Sequence, residues 1–186
     1  VHLVAEMEKR VFADRAEYAG DPDFVAVPIA QLIEPVYVAR RASEVNPAAI
    51  SRIEAVGPGL AEPRHTTHFS IVDGWGNAVS NTFTLNTDFG SGVVVEGAGF
   101  LLNNEMDDFS ARPGTPNFYG VVGADANAIE SGKRMLSSMA PTIVLDRDGR
   151  VELVVGTPGG STIITSVFQT IVNVYDFEMS PQQAVD

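Results

Sequence analysis

At 186 residues, with 45% hydrophobic and 19% charged side chains, the chain has the content of one globular domain, or a large piece of one, and not of a disordered segment. Its 24 acidic against 12 basic residues give a formal charge of −12, which repels phosphate backbones and argues against nucleic acid as a partner. Cysteine is absent, which excludes disulfides, thiolate catalysis and cysteine metal sites, and no apolar run or basic amphipathic helix suits membrane insertion or an anionic bilayer surface.

Residues 2–18 carry Leu3, Val4, Met7, Val11 and Phe12 near helical spacing, with Gly20 just beyond as a stop. "GDPDF" reads as a turn. "NPAAISRIEAV" reads as a second, short helix with Asn46 as its cap and Pro47 at its first position. "GPGLAEPRH" is a breaker-rich linker. "HTTHFSIVD" and "NAVSNTFTL" then flank Gly-Trp-Gly as the arms of a β-hairpin. "SGVVVEGAGFLLNNEMDDF" mixes short apolar runs with glycine, as loops edging a sheet do. "APTIVLD" and "RVELVVG" form a second hairpin about Arg147-Asp148-Gly149. After the glycine loop "TPGGST", Ile163, Ile164, Val167, Phe168, Ile171, Val172 and Tyr175 fall on one broad helical face. Helices, hairpins, then a helix make an α+β layered architecture, without internal repeats. The chain reads as an excerpt: it begins inside a helical pattern and stops at "SPQQAVD", where Ser180 and Pro181 read as N-cap and first position of a helix.

The histidines His2, His65 and His68 lack the helical spacing of a zinc site, and Glu105, Asp107 and Asp108 lack the alternating oxygen ligands of a calcium loop, so no metal is expected. "GTPGGST" has no lysine before its hydroxyl residues and is not a nucleotide-gripping loop. Gly159 and Gly160 read equally as a tight turn or as two backbone N–H donors at a helix start, aimed at an anion. No G-x-S-x-G elbow is present, and His68 reads as a strand histidine with ordinary partners. Thr66 and Thr67 head the first hairpin. Strand propensity accounts for such a pair. Alternatively, Thr66 is a nucleophile activated by its own α-amine, whose free pKa is about 8, and which exists only if the bond before it is cut.

Read together, "TTHFSIVDGWGNAVSNTFTLNTDFGSGVVV", "GFLLNNEMDDFS", "KRMLSSMAPTIV" and "GTPGGSTIITSV" resemble, in order and spacing, the γ-glutamyltranspeptidase family, and "AEMEKRVFADRAEYAGDPDFV" is similar to the end of that family's large subunit. The resemblance implies a precursor that cleaves itself between His65 and Thr66, and part of an N-terminal-nucleophile hydrolase αββα sandwich. Residues 1–65 are then the C-terminal part of the large subunit, and 66–186 the catalytic portion of the small one, with the remainder of both as partners. By position, Thr66 is the nucleophile and Thr84 its hydrogen-bonding companion, and Gly159 and Gly160 form the oxyanion hole. Asp108 anchors the donor's ammonium with Asn86 and Glu105 as acceptors, while Ser137 and Ser138 hold its carboxylate. Asp107 is assigned a local role such as capping a turn. The family's carboxylate-binding arginine lies outside this segment, and neither Arg112 nor Arg134 is promoted in its place.

The activity implied is γ-glutamyl transfer and hydrolysis, from glutathione and other γ-glutamyl donors to amino acids, dipeptides or water, without a cofactor. The place implied is the periplasm or the cell exterior. A related acylase, a poly-γ-glutamate transpeptidase, and a stable but uncleaved, inactive piece are the alternatives.

Overall fold

Breaker-rich loops and short apolar runs resolve into two units in the computed structural model, which describes residues 2–51, 66–117 and 120–186. The first comprises Val1–Leu60 and Met106–Ser137, the second Ala61–Glu105 and Ser138–Asp186.

In the first unit, α1 runs His2–Tyr18, as its periodicity predicts. What it buries is a charge: Glu6 is 1% exposed, whereas Leu3, Met7 and Val11 are exposed. Burial of a carboxylate is tolerated only with partners. Glu6 accepts hydrogen bonds from Lys9, from Arg10 Nη1 at 3.4 Å and from the Ser51 N–H at 3.2 Å. Hydrogen bonds from Lys9 and then Ser51 hold its pKa down to about 2. Gly20 lies just beyond the end of the helix, and packing supplies a further reason for it. A Cβ there would lie 2.2 Å from the Ala126 carbonyl oxygen, so close approach of two backbones demands glycine.

"GDPDF" is a turn closed by Phe24 N–H donating to Asp21 O at 2.9 Å. Asp21 is buried, and Arg134 grips it through its backbone N–H, Nε and Nη2 at 2.8, 3.1 and 2.6 Å. Helices α2 (Ile29–Leu32) and α3 (Pro35–Ser43) follow, with Pro35 at the first turn of α3. Asp14 on α1 holds α3, accepting from Tyr37 Oη at 2.9 Å and from Arg41 Nη2 at 3.0 Å. The helix expected from Asn46 does not form over residues 46–51. Asn46 Oδ1 instead accepts the Ala48 N–H at 2.8 Å, a local side-chain turn that competes with helix initiation. The remainder of that segment and the linker "GPGLAEPRH" lie outside the described residues.

In the second unit, β1 (Thr66–Val72) and β2 (Ala78–Thr84) pair antiparallel, with Thr66 opposite Thr84, His68 opposite Thr82 and Ser70 opposite Ser80. β3 (Thr142–Leu145) and β4 (Val151–Val155) form the second hairpin. The two loops share one device. Asp73 Oδ1 accepts the N–H groups of Trp75 and Asn77 at 2.8 and 2.9 Å, and Asp146 Oδ1 those of Asp148 and Arg150, both at 2.8 Å. Glycine takes the left-handed position three residues after each aspartate, at Gly76 and Gly149. The hairpins meet through hydroxyls: Ser80 Oγ donates to Val155 O at 3.0 Å, and Ser70 Oγ to Val154 O at 3.4 Å.

Helix α4 (Ile163–Tyr175) closes this unit's core. Ile163 and Val167 are buried with Val155, and Met139, Ala140, Leu153 and Ile171 pack around them. Phe168 and Tyr175, from the same predicted face, are exposed. Helix α5 (Pro181–Val185) begins as its sequence predicts. Ser180 Oγ accepts the Gln183 N–H while Gln183 Oε1 accepts the Ser180 N–H at 3.0 Å. Among the described residues, no helix is long and apolar enough to cross a membrane.

Candidate functional site

Alternation along β1 separates two chemically identical neighbours. Thr66 opens the strand and faces Thr84 across the ladder, whereas Thr67, exposed, pairs with Phe83. Thr66 Oγ1 lies 3.4 Å from Thr84 Oγ1, which also accepts the Asn86 N–H at 2.9 Å. That backbone bond occupies one lone pair of the Thr84 oxygen, leaving the other directed to Thr66. Asn86 makes this turn with φ +76°, a left-handed conformation that asparagine tolerates better than most residues. It is buried, and its Nδ2 donates to Asn104 O at 3.3 Å. Thr66, Thr84 and Asn86 are thus one local constellation at the open end of the first hairpin. His65 and the bond expected to be cut lie outside the described residues.

The polar face continues along β1. His68 Nδ1 is 2.8 Å from Thr82 Oγ1 and Nε2 is 3.0 Å from Ser70 Oγ, so hydroxyls engage both ring nitrogens. Burial pushes the imidazole pKa down. The ring packs on Gly156, where an added Cβ would come within 2.1 Å of it. These are the ordinary strand partners that the sequence suggested.

Gly159 and Gly160 have φ +145° and +54°, and Gly160 begins the short 3-10 turn that runs into α4. The Gly159 carbonyl accepts from Thr162 N–H at 3.0 Å and Thr162 Oγ1 at 2.7 Å. A tight turn and a helix start therefore coincide here.

The short 3-10 helix Glu105–Asp108 carries two candidate recognition residues. Burial pushes the Glu105 carboxyl pKa up, and Asn103 Oδ1 accepts the Glu105 N–H at 3.1 Å. In the first unit, Asp107 O accepts from Asn117 Nδ2 at 3.3 Å. Asp108 O accepts from Asn127 Nδ2 at 2.8 Å. Ser137 O accepts from Arg15 Nη2 at 3.5 Å, and Ser138 follows directly in sequence. Burial lowers the Arg15 pKa, with the Asp108 carboxylate pulling the other way. Arg15 and Asn127 were not singled out by sequence reasoning. Neither has a distinctive motif, and only the path of the backbone brings them beside Asp108 and Ser137. Arg134 is engaged by Asp21 and Asp23. Among the described residues, no cluster of three or more histidine or acidic side chains is placed to hold a metal ion.

Comparison with known proteins gives consistent matches. The family described as gamma-glutamyltranspeptidase matches residues 1–186. A glutathione hydrolase proenzyme of Pseudomonas aeruginosa is 70% identical over 185 residues, covering 100% of this chain and 33% of the relative. The Escherichia coli glutathione hydrolase proenzyme is 49% identical over 189 residues, covering 100% of this chain and 32% of the relative. Among solved structures, the gamma-glutamyltranspeptidase from Pseudomonas nitroreducens complexed with L-DON superimposes with a TM-score of 0.61 at 72% identity, covering 64% of this chain and 61% of that one. The chain spans about a third of the length of the curated relatives it matches.

Proposed function

Since the chain belongs to the γ-glutamyltranspeptidase family and carries part of its N-terminal-nucleophile hydrolase fold, we propose that the full-length protein is a self-processing γ-glutamyl transferase and hydrolase with Thr66 as its nucleophile. The observation that carries this reading is the Thr66–Thr84–Asn86 hydroxyl arrangement at the first residue of β1.

Maturation and turnover use the same oxygen. First, Thr66 Oγ1 adds to the carbonyl carbon of His65, and the C–N bond breaks to leave an ester and a free amine on Thr66. Water hydrolyses that ester and residue 65 departs as a carboxylate. In turnover, the amine takes the hydroxyl proton as Oγ1 adds to the γ-carbonyl of the donor. Thr84, its own oxygen fixed by the Asn86 N–H, orients the attacking group. The N–H groups of Gly159 and Gly160 receive the developing oxyanion, and loss of one such donor typically costs about 3 kcal/mol of barrier. The ammonium then returns its proton to the departing amine, cysteinylglycine when glutathione is the donor. Water or an acceptor amino group releases the γ-glutamyl ester.

Recognition of the donor head follows its charges. Asp108 faces its ammonium, with Asn86 and Glu105 as further acceptors, and Ser137 and Ser138 donate to its carboxylate. An arginine from the rest of the protein completes that half, because charge-assisted donors hold a carboxylate more firmly than hydroxyls. The remaining parts of both subunits are the partners, and the periplasm or cell exterior is the place of action.

Intact-mass measurement of the full-length protein tests the reading. Two fragments divided before Thr66 are expected, with Thr66→Ala abolishing both scission and release of p-nitroaniline from a γ-glutamyl anilide, and Thr67→Ala sparing both in part. A single uncleaved chain that still turns over would overturn it. Scission with turnover only of acylase or poly-γ-glutamate substrates would move the assignment to those relatives.

A further inference from the structure

The donor head proposed above presents an ammonium and a carboxylate on one carbon, so the groups that meet them must keep a fixed separation. Asn127 ties their two segments together. Its side chain is buried, with the residue 5% exposed, and both ends of its amide are used. Nδ2 donates to the carbonyl of Asp108 at 2.8 Å, and Oδ1 accepts the N–H of Leu136, the neighbour of Ser137, at 3.0 Å. The Asn127 carbonyl also accepts the Ser110 N–H at 2.9 Å, so a second bond pins the chain just beyond Asp108. Asn127 ends the 3-10 turn Asp125–Asn127, and its own N–H donates to Ala124 O at 3.2 Å. The surroundings leave little slack: a Cβ added at Gly123 would lie 2.2 Å from Ser110 Oγ.

We propose that Asn127 is a positioning residue for the γ-glutamyl donor, setting the spacing between Asp108 and Ser137 by bridging the backbones of Asp108 and Leu136. The inference rests on the donor-site reading given above. Of the residues of this size, asparagine alone offers a neutral donor and an acceptor in one rigid plane. Aspartate keeps the acceptor for Leu136 but turns an oxygen toward the Asp108 carbonyl. Displacement of a recognition group by a fraction of an ångström weakens a two-point contact while leaving the reacting hydroxyl in place.

The experiment uses the full-length, self-cleaved enzyme with Asn127→Ala, Asn127→Asp, Asp108→Ala and the double variant Asn127→Ala/Asp108→Ala. The readouts are the inhibition constant of L-glutamate, and KM and kcat for γ-glutamyl p-nitroanilide. Asn127→Ala is expected to raise the inhibition constant and KM about tenfold, the worth of one or two buried hydrogen bonds, with kcat changed less than about twofold. Added to Asp108→Ala it is expected to cause a clearly smaller further loss than it does alone, because part of its effect passes through that residue. A purely structural role would give independent, multiplicative losses, or a fall in kcat with KM unmoved, and either result overturns the proposal. Asn127→Asp, equal in size, carries the same measurement if the alanine variant fails to mature. An unchanged inhibition constant in the Asn127 variants, with a raised one in Asp108→Ala, removes the positioning role alone. An unchanged constant in Asp108→Ala removes the donor-site reading and this inference with it.

Discussion

A threonine hydroxyl is a poor nucleophile, so its surroundings decide whether it reacts. Around Thr66 the structure supplies one oriented hydroxyl, Thr84, whose oxygen is itself held by the Asn86 N–H. That chain of support was legible in sequence only through the assembled motifs, because a threonine eighteen residues away acquires meaning when a hairpin register sets it opposite. Asn127 was not legible at all, since its value lies in two backbone groups it happens to join. Glu6 was hidden for a different reason: periodicity marks apolar faces, and here the buried position on α1 is a carboxylate. Its consequence is measurable. Hydrogen bonds, from Lys9 first, lower its folded-state pKa from the ordinary 4.5 to about 2, so folding favours the charged form. The stabilisation is therefore complete above about pH 4.5 and is lost as pH falls toward 2. In the full-length protein, Glu6→Gln is expected to flatten the dependence of the thermal midpoint on pH across that window. An unchanged slope would remove Glu6 as a contributor.

Among elements, the hairpins were the most readable, because an aspartate, a glycine three residues on and alternating arms each carry a local cause. Helix α3 was missed because what holds it is a distant aspartate, Asp14, gripping Tyr37 and Arg41. The helix expected at Asn46 failed because the same side chain that caps helices also closes turns. How the hairpins pack leads to a further expectation. The His68 ring fills the space beside Gly156 that any Cβ would need. Gly156→Ala is expected to lower stability by about 1–3 kcal/mol through overpacking. His68→Ala should cost less in that background than alone, because it empties the contested volume, and thermal melts of the four proteins would show the coupling. Equal, additive losses would mean that the ring moves aside freely.

For the whole chain, the fold class was recoverable from the order of elements and motifs, while the division into two units was not, because Met106–Ser137 groups with the N-terminal helices across a long gap in sequence. The chain covers about a third of its curated relatives, and large side chains such as Phe69, Ile71, Phe83 and Val36 stand exposed on its strands and helices. Bare apolar surface of this kind marks contact area. Produced alone, the 186-residue chain is expected to bind a hydrophobic dye such as ANS several times more strongly per mole than the full-length protein does, in side-by-side titrations. Equal binding would show that these faces stay wet in the complete molecule.

The pairing of Thr66 with Thr84 has a last implication. Two threonines stand side by side, and strand parity gives them opposite neighbours. Were β1 to slide by a single position along β2, Thr67 would stand opposite Thr84 in place of Thr66. The hairpin register thus acts like a reading frame, selecting by alignment which of two like residues meets Thr84.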